Sequence, residues 1–182
     1  MESKRPLFAM EVAKEVGIRL GRRTSIDFVG SGVMESEMRG YAAQLSDFVD
    51  TRFHRYVTQA ELPSRYANAR IFLFPTEGDV WGVVANEACA TGLPVIVSPH
   101  AGVAGELVLD GINGYVRELD VVQWAGAAVR LLKDDALYSR FSQSSRERVA
   151  EYTFDRAARG LANAIRQACP ARKARINQAV AE

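Results

Sequence analysis

The sequence predicts an α/β protein built on a parallel sheet flanked by helices. Three observations predict it. Strand-like and helix-like runs alternate along the 182 residues. Two short runs, Ile71 to Phe74 and Pro94 to Ser98, are apolar almost throughout, as strands covered on both faces are. The run Phe28-Val29 leads into Gly30-Ser31-Gly32, a glycine turn of the kind that joins a strand to a following helix.

The elements follow in order. Phe8, Val12, Val16 and Leu20 recur every four residues after Pro6, which predicts a helix over about Pro6 to Leu20. Proline is tolerated in that first turn because its missing N–H would be unpaired there anyway. Ser25 to Val29 is a short strand, and Met34 to Leu45 the next helix. A strand is expected over Thr51 to Val57 and a short helix over Glu61 to Ala69. The buried strand at Ile71 to Phe74 ends at Pro75, a helix covers Val83 to Ala90, and the second buried strand is Pro94 to Ser98. Gly111 to Val116 reads as a turn with a final short strand, and Asp120 is placed to cap a helix over Val121 to Leu132. Helices over about Asp135 to Tyr152 and Phe154 to Ala168 complete the series, and Pro170 closes the last. The first element is a helix without the strand that an α/β unit puts before it, so the chain reads as starting inside a domain, its first strand missing. The expected organisation is one domain over 1–168 and a basic tail over 169–182.

A chain of this length buries one core, roughly 70% of its unfolded surface. With 48% hydrophobic and 25% charged residues it is an ordinary globular composition. Lys and Arg total 23 against 22 Asp and Glu, so no general field draws it to nucleic acid or to an anionic membrane, and any anion must be held by local geometry. Cys89 and Cys169 stand far apart with no CxxC, which indicates neither a disulfide framework nor a zinc site and suits a reducing cytoplasm. No run approaches the roughly 20 apolar residues of a membrane span.

The chemistry concentrates in Phe74-Pro75-Thr76-Glu77-Gly78-Asp79-Val80-Trp81-Gly82-Val83-Val84-Ala85-Asn86-Glu87-Ala88. A buried strand emerges into a loop and a helix starts near Gly82. The first N–H groups of a helix have no partner inside it and point along the positive end of its dipole, so Gly82, Val83 and Val84 form an anion site made of backbone. Glu87 stands five residues beyond Gly82, about 7 Å along the helix axis, which suits a ribose beside a diphosphate. A carboxylate accepts two hydrogen bonds from a vicinal diol, and Asp79, in the loop before the helix, can accept from hydroxyls on the other side.

These residues resemble the retaining GT-B glycosyltransferases of the family-four group. That family carries two acids eight positions apart, within a pattern of strand, Pro-Ser, Glu-x-Phe-Gly and Glu-Ala-x-Ala-x-Gly-x-Pro-Val-Ile. Here Asp79 and Glu87 stand at that spacing, and Trp81-Gly82 and Glu87-Ala88-Cys89-Ala90-Thr91-Gly92-Leu93-Pro94-Val95-Ile96 follow the pattern. Phe28-Val29-Gly30-Ser31-Gly32 resembles the family's Val-Gly-x-Gly turn, and Gly102 to Val108 with Asp110 to Gly114 its closing segment. The likeness extends to about Ala168.

The resemblance implies the Rossmann-like C-terminal half of a GT-B fold, the half that binds a nucleotide diphosphate sugar. It implies transfer of a hexosyl unit with retention and without a metal or other cofactor. It places the nucleotide ribose on Glu87, the donor sugar on Asp79 as the catalytic-site acid, the diphosphate on the backbone of Gly82, Val83 and Val84, and a phosphate-binding cation at Lys4. Gly30 and Gly32, in the family's Val-Gly-x-Gly turn, are placed to approach the nucleotide ligand, and the base is expected near Tyr56, Val57 and Leu62. The family's leading strand and its acceptor-binding domain are absent, so the chain is expected to need an acceptor-binding domain or chain, to be inactive alone, and to self-associate through its exposed edge. Asp79 replaces a glutamate and Arg55 a glycine frequent in the family. Each residue also has a plainer role: Asp79 as a turn or cap acid, Lys4 as a solvated terminal lysine, the glycines as turn formers, Trp81 as a wall and Cys89 as a small buried apolar group. Two other functions stay open, a nucleotide-binding module that pairs with a separate acceptor chain and a remnant that binds nothing.

Overall fold

A computed structural model describes residues 2–168, Glu2 by its backbone alone. The chain forms two compact units, 1–149 and 150 onward. The first unit holds the sheet strands and most of the helices: a short 3-10 turn at Glu2–Lys4, then α1 (Pro6–Leu20), β1 (Thr24–Val29), α2 (Glu35–Gln44), β2 (Val49–His54), α3 (Leu62–Ala67), β3 (Phe72–Phe74), α4 (Val83–Ala90), β4 (Val95–Val97), β5 (Gly114–Val116), α5 (Val121–Lys133) and α6 (Asp135–Val149). The second unit contains α7 (Phe154–Ala168). On α7, Phe154, Leu161 and Ile165 are exposed at helical spacing. Cys169, Pro170 and the tail over 169–182 lie outside the described residues.

All strand pairs are parallel, as expected, but they form two sheets. One is β1-β2, with Thr24 opposite Val49 through Val29 opposite His54. The other is β3-β4-β5, with Phe72 opposite Val95 and Val95 opposite Gly114. No strand precedes α1 among the described residues.

The packing explains the pattern. Val95, Ile96 and Val97 are all fully buried, because alternate side chains of β4 enter different layers. Ile96 joins Val12 and Val16 of α1 and Trp124, Ala128 and Leu131 of α5 in one core cluster. α4 packs on β3 and β4 and against α6. The Phe8 ring meets Trp124 edge-on at 5.2 Å, which ties α1 to α5. α1 also carries Met10 and Ala13 into a second cluster with Met38, Leu45 and Val49, so this one helix packs against both sheets. Gly17 lets it come close, since a Cβ there stands 3.0 Å from the Phe48 carbonyl oxygen.

Several boundaries move. The strand expected over Thr51 to Val57 is Val49–His54, because it pairs over its whole length with six-residue β1, and the Gly30 N–H donates to the His54 carbonyl at 2.8 Å. The helix expected from Glu61 begins at Leu62, since the Glu61 carboxylate takes the Thr58 N–H at 2.9 Å and the Thr58 hydroxyl at 2.8 Å. The helix expected to Tyr152 ends at Val149. The Asp120 cap is as expected, its carboxylate accepting from the Gln123 N–H at 2.8 Å.

Candidate functional site

The loop that leaves β3 is held on both sides. Thr76 is fully buried; its hydroxyl donates to the Gly78 carbonyl at 3.0 Å, and the Ser98 hydroxyl donates to the Thr76 carbonyl. The Asp79 N–H donates to the His100 carbonyl at 3.2 Å, the Gly102 N–H to the Asp79 carbonyl at 2.9 Å, and the Val103 N–H to the Trp81 carbonyl at 3.0 Å. The Glu77 N–H donates to the Ser3 carbonyl at 2.8 Å, which brings the start of the chain to the carboxyl end of β3. α1 follows, its Ala13 carbonyl accepting from the Thr24 hydroxyl at 2.9 Å at the start of β1. Within each sheet the strands are parallel and share a carboxyl end, where ligands of open α/β sheets bind.

The helix start is built for close approach. Gly82 has φ 103°, a conformation that disfavours side chains, and an added Cβ would stand 2.5 Å from Phe74 Cε1. Its carbonyl accepts the Ala85 N–H at 2.8 Å, and no side chain caps the helix. Among the described residues, no backbone hydrogen bond takes up the N–H groups of Gly82, Val83 and Val84, and both valines are exposed. These are the orphan donors of a helix start, with the two valines exposed and Gly82 buried behind them.

Charged groups surround that end. The Lys4 ammonium is paired with the Asp79 carboxylate and lies 4.8 Å from the centre of the Phe74 ring. The Lys4 ammonium beside Asp79, helped by the Trp81 N–H at 3.1 Å, holds its carboxyl below the usual range, although burial opposes the shift. Arg5 pairs with Glu77 at 2.7 Å. On α4, Glu87 accepts a hydrogen bond from the Tyr66 hydroxyl at 2.9 Å. Burial, and then the Glu87 carboxylate, push the Tyr66 phenol above its ordinary value. The Trp81 indole donates to Asn86 at 2.8 Å, tying the loop to the helix.

Most of the residues singled out in the sequence come together here. Lys4, Asp79, Gly82, Val83, Val84 and Glu87 lie on the 3-10 turn, the β3–α4 loop and the first turns of α4. Asp79 also has the plainer role expected of it, as the Trp81 bond is an Asx-type turn. Gly30 and Gly32 lie at the carboxyl end of β1, Gly30 with φ 121° and Gly32 accepting the Glu35 N–H at 3.0 Å; no contact among the described residues joins them to the Lys4–Asp79 pair. Tyr66 escaped the sequence reading, which looked to Tyr56, Val57 and Leu62. Tyr56 is almost fully exposed, whereas Tyr66 comes from α3 to meet Glu87. Nothing in the spacing of the two residues signals that contact. Arg55 bonds Glu35 at 3.0 Å, and His54 bonds Asp27 at 2.7 Å. Cys89 is fully buried, as expected of a packing residue, and burial pushes its thiol up to about 11. Among the described residues, no cluster of His, Cys, Asp and Glu has the makings of a metal site, and no helix is long and apolar enough to cross a membrane.

Parallel sheets flanked by helices, with an amide-lined helix start and flanking acids at a carboxyl end, define an α/β domain of the Rossmann-like class. The chain belongs to the family glycosyl transferases group 1, whose pattern its residues 2–148 match. It is 32% identical over 130 residues to a D-inositol 3-phosphate glycosyltransferase of Nocardioides sp., covering 71% of this chain and 27% of that one. The chain spans less than a third of the length of the curated relatives it matches. Its fold matches the C-terminal domain of the group 1 family protein LpcC from Francisella tularensis with a TM-score of 0.68 at 21% identity, over 82% of this chain and 80% of that one. It also matches the pneumococcal O-GlcNAc transferase GtfA, solved with UDP and GlcNAc, with a TM-score of 0.74 at 17% identity, over 92% of this chain and 34% of that one. The chain is thus a glycosyltransferase domain of GT-B fold.

Proposed function

We propose that this domain binds the nucleotide diphosphate sugar of a retaining hexosyl transfer, and that an acceptor-binding domain or chain supplies the other wall of the cleft. The observation that carries the reading is the start of α4. Three backbone N–H groups that no acceptor among the described residues takes up stand between Asp79, already paired with a lysine, and Glu87. The amides take the diphosphate, Glu87 the ribose diol, Asp79 the transferred sugar, and Lys4 moves onto a phosphate oxygen.

In this reading the residues stabilise a leaving group. As the glycosidic bond breaks, negative charge grows on the diphosphate, and preoriented amides with an ammonium stabilise that charge more than they stabilise the ground state. No metal is required where those groups suffice. Relatives whose name or structure mentions a glycosyltransferase or UDP support the donor class, and the buried, unpaired Cys89 thiol suits a cytoplasmic setting. The test is calorimetric titration of the purified chain with ADP, GDP and UDP and with their glucose conjugates. Saturable binding of one nucleotide series is expected, without glycosyl transfer by this chain alone. Absence of binding to all three series, with the chain folded, refutes the donor reading.

A further inference from the structure

The edge of β2 turned away from β1 pairs with no strand among the described residues. The Thr24 and Gly30 N–H groups bond the Phe48 and His54 carbonyls, so the even-numbered main-chain groups of β2 face β1, and those of Val49, Thr51 and Phe53 face outward. The Leu45 carbonyl takes the Val49 N–H at 2.8 Å, which leaves the N–H groups of Thr51 and Phe53 and the three carbonyls on that edge. A groove of about 310 Å³ lies beside it, walled in part by Ala42, Ala43 and Ser46 of α2 and by Val49, Thr51 and Phe53 of β2. Those three helix side chains are small, and Arg39 is folded over the Phe53 ring, 4.5 Å from its centre, so another backbone can come up to the strand. The Thr51 hydroxyl is buried without a hydrogen-bond partner.

The side chains say which strand fits there. Val49 and Phe53 pack in the cluster that contains Met38 of α2, while Asp50 and Arg52, on the opposite face, bond each other at 2.6 Å. The run Val49-Asp50-Thr51-Arg52-Phe53 is therefore complementary to itself when reversed about Thr51. In an antiparallel pair of two copies with the two-fold axis at Thr51, Asp50 stands opposite Arg52 of the second copy and Val49 opposite its Phe53. The outward main-chain groups suit this register: the two Thr51 residues exchange N–H···O bonds, and each Phe53 N–H reaches the Val49 carbonyl across the axis. Those groups also permit an axis at Asp50 or at Arg52, but either sets like charges directly opposite each other, which destabilises a strand pair. Charges commonly blunt an exposed edge; here two of opposite sign select one register. At the axis the Thr51 hydroxyl, turned about χ1, gains the partner it lacks, since cross-strand threonines hydrogen-bond.

We propose that the outer edge of β2 is a homodimer interface, at which two copies of this chain join antiparallel about Thr51 into one four-stranded sheet of order β1-β2-β2-β1. The contact is isologous, the same patch on both copies, as a two-fold axis requires. Main-chain hydrogen bonds supply the attraction, as in β-strand addition, and the Asp50–Arg52 pairs fix the register. A contact made of one edge strand and the flank of α2 is small, so the dimer is weak, with a dissociation constant between about 1 µM and 1 mM. No residue of this interface belongs to the proposed donor site, and the inference is independent of the donor-binding reading.

The test is sedimentation velocity of the whole 182-residue chain from about 5 µM to about 1 mM, beside Asp50→Arg, Arg52→Asp and the double swap Asp50→Arg/Arg52→Asp, each checked for folding by circular dichroism. The unaltered chain is expected to dimerise reversibly. Each single reversal sets like charges opposite each other and is expected to weaken the dimer by about tenfold or more. An equimolar mixture of the two single variants restores it, because each charge then meets its opposite, and the double swap restores it within one chain. Amide hydrogen exchange gives a second readout: Thr51 and Phe53 slow by about tenfold or more as concentration rises, while Ser25 and Asp27 of β1 do not. If a single reversal fails to fold, the double swap and the amide exchange decide. A monomer over the whole range, a dimer indifferent to the reversals, a mixture that stays monomeric, or protection that spares Thr51 and Phe53 overturns the proposal.

Discussion

Replacing the two acids one at a time separates their roles, and the structure sets the size of each effect. On the proposed reading, Glu87→Ala loses the charge-assisted hydrogen bonds to the ribose. Such bonds contribute about 1.5–3 kcal/mol, which is roughly a ten- to hundredfold weaker affinity for the free nucleoside diphosphate. The Tyr66 bond leaves room for both ribose bonds, because a carboxylate has about four acceptor positions and Tyr66 takes one. In Asp79→Ala the free diphosphate loses no direct partner. Instead Lys4 is released from its ion pair, whose side chains are 44% and 23% exposed. A pair that open contributes only about 0–1 kcal/mol, so its release strengthens diphosphate binding by at most about fivefold, while the sugar-bearing donor loses its contact with Asp79. The assay is calorimetric titration of both variants with the free diphosphate and the intact donor, after circular dichroism confirms folding. If Asp79→Ala weakens free diphosphate as much as Glu87→Ala does, the division of labour is wrong.

Other outcomes follow from the same geometry. Tyr66→Phe removes one hydrogen bond and is expected to cost about 1 kcal/mol of stability and to weaken diphosphate binding less than Glu87→Ala; denaturant melts with titration check both. Gly82→Ala places a Cβ 2.5 Å from Phe74 at φ 103°, so a loss of about 2–3 kcal/mol is expected in urea unfolding, and an unchanged midpoint contradicts the packing. Asp79 has a lowered native value, so its contribution is present above the unfolded value of about 4 and is lost as pH falls through the lower native one. Asp79→Asn is therefore expected to flatten the acid limb of stability below about pH 4, measured by thermal melts. Cys89, with a raised thiol, stabilises fully below the unfolded value of about 8.5 and progressively less as pH rises toward about 11. In a Cys169→Ser background, Cys89 is expected to resist iodoacetamide at pH 8 until denaturant is added, and rapid labelling of the native chain refutes its burial.

What the sequence alone determined here is local and periodic. The four-residue repeat of Phe8, Val12, Val16 and Leu20 places α1, the apolar runs around Leu73 and Ile96 mark buried strands, and the glycines and acids from Gly78 to Glu87 mark the helix start. Those signals survive because period, turn chemistry and capping act over a few residues. Strand ends were less legible: β2 is set by its pairing with β1, and pairing partners leave no mark in a single segment. Tertiary structure alone decided that Tyr66 reaches Glu87, that Lys4 lies on Asp79 across 75 positions of chain, and that one expected sheet is two. The reason is physical. Contacts between residues far apart in sequence depend on which faces the whole chain buries together, and α1 brings the ends of the chain's first half and the β3 loop to one place only when it packs against both sheets.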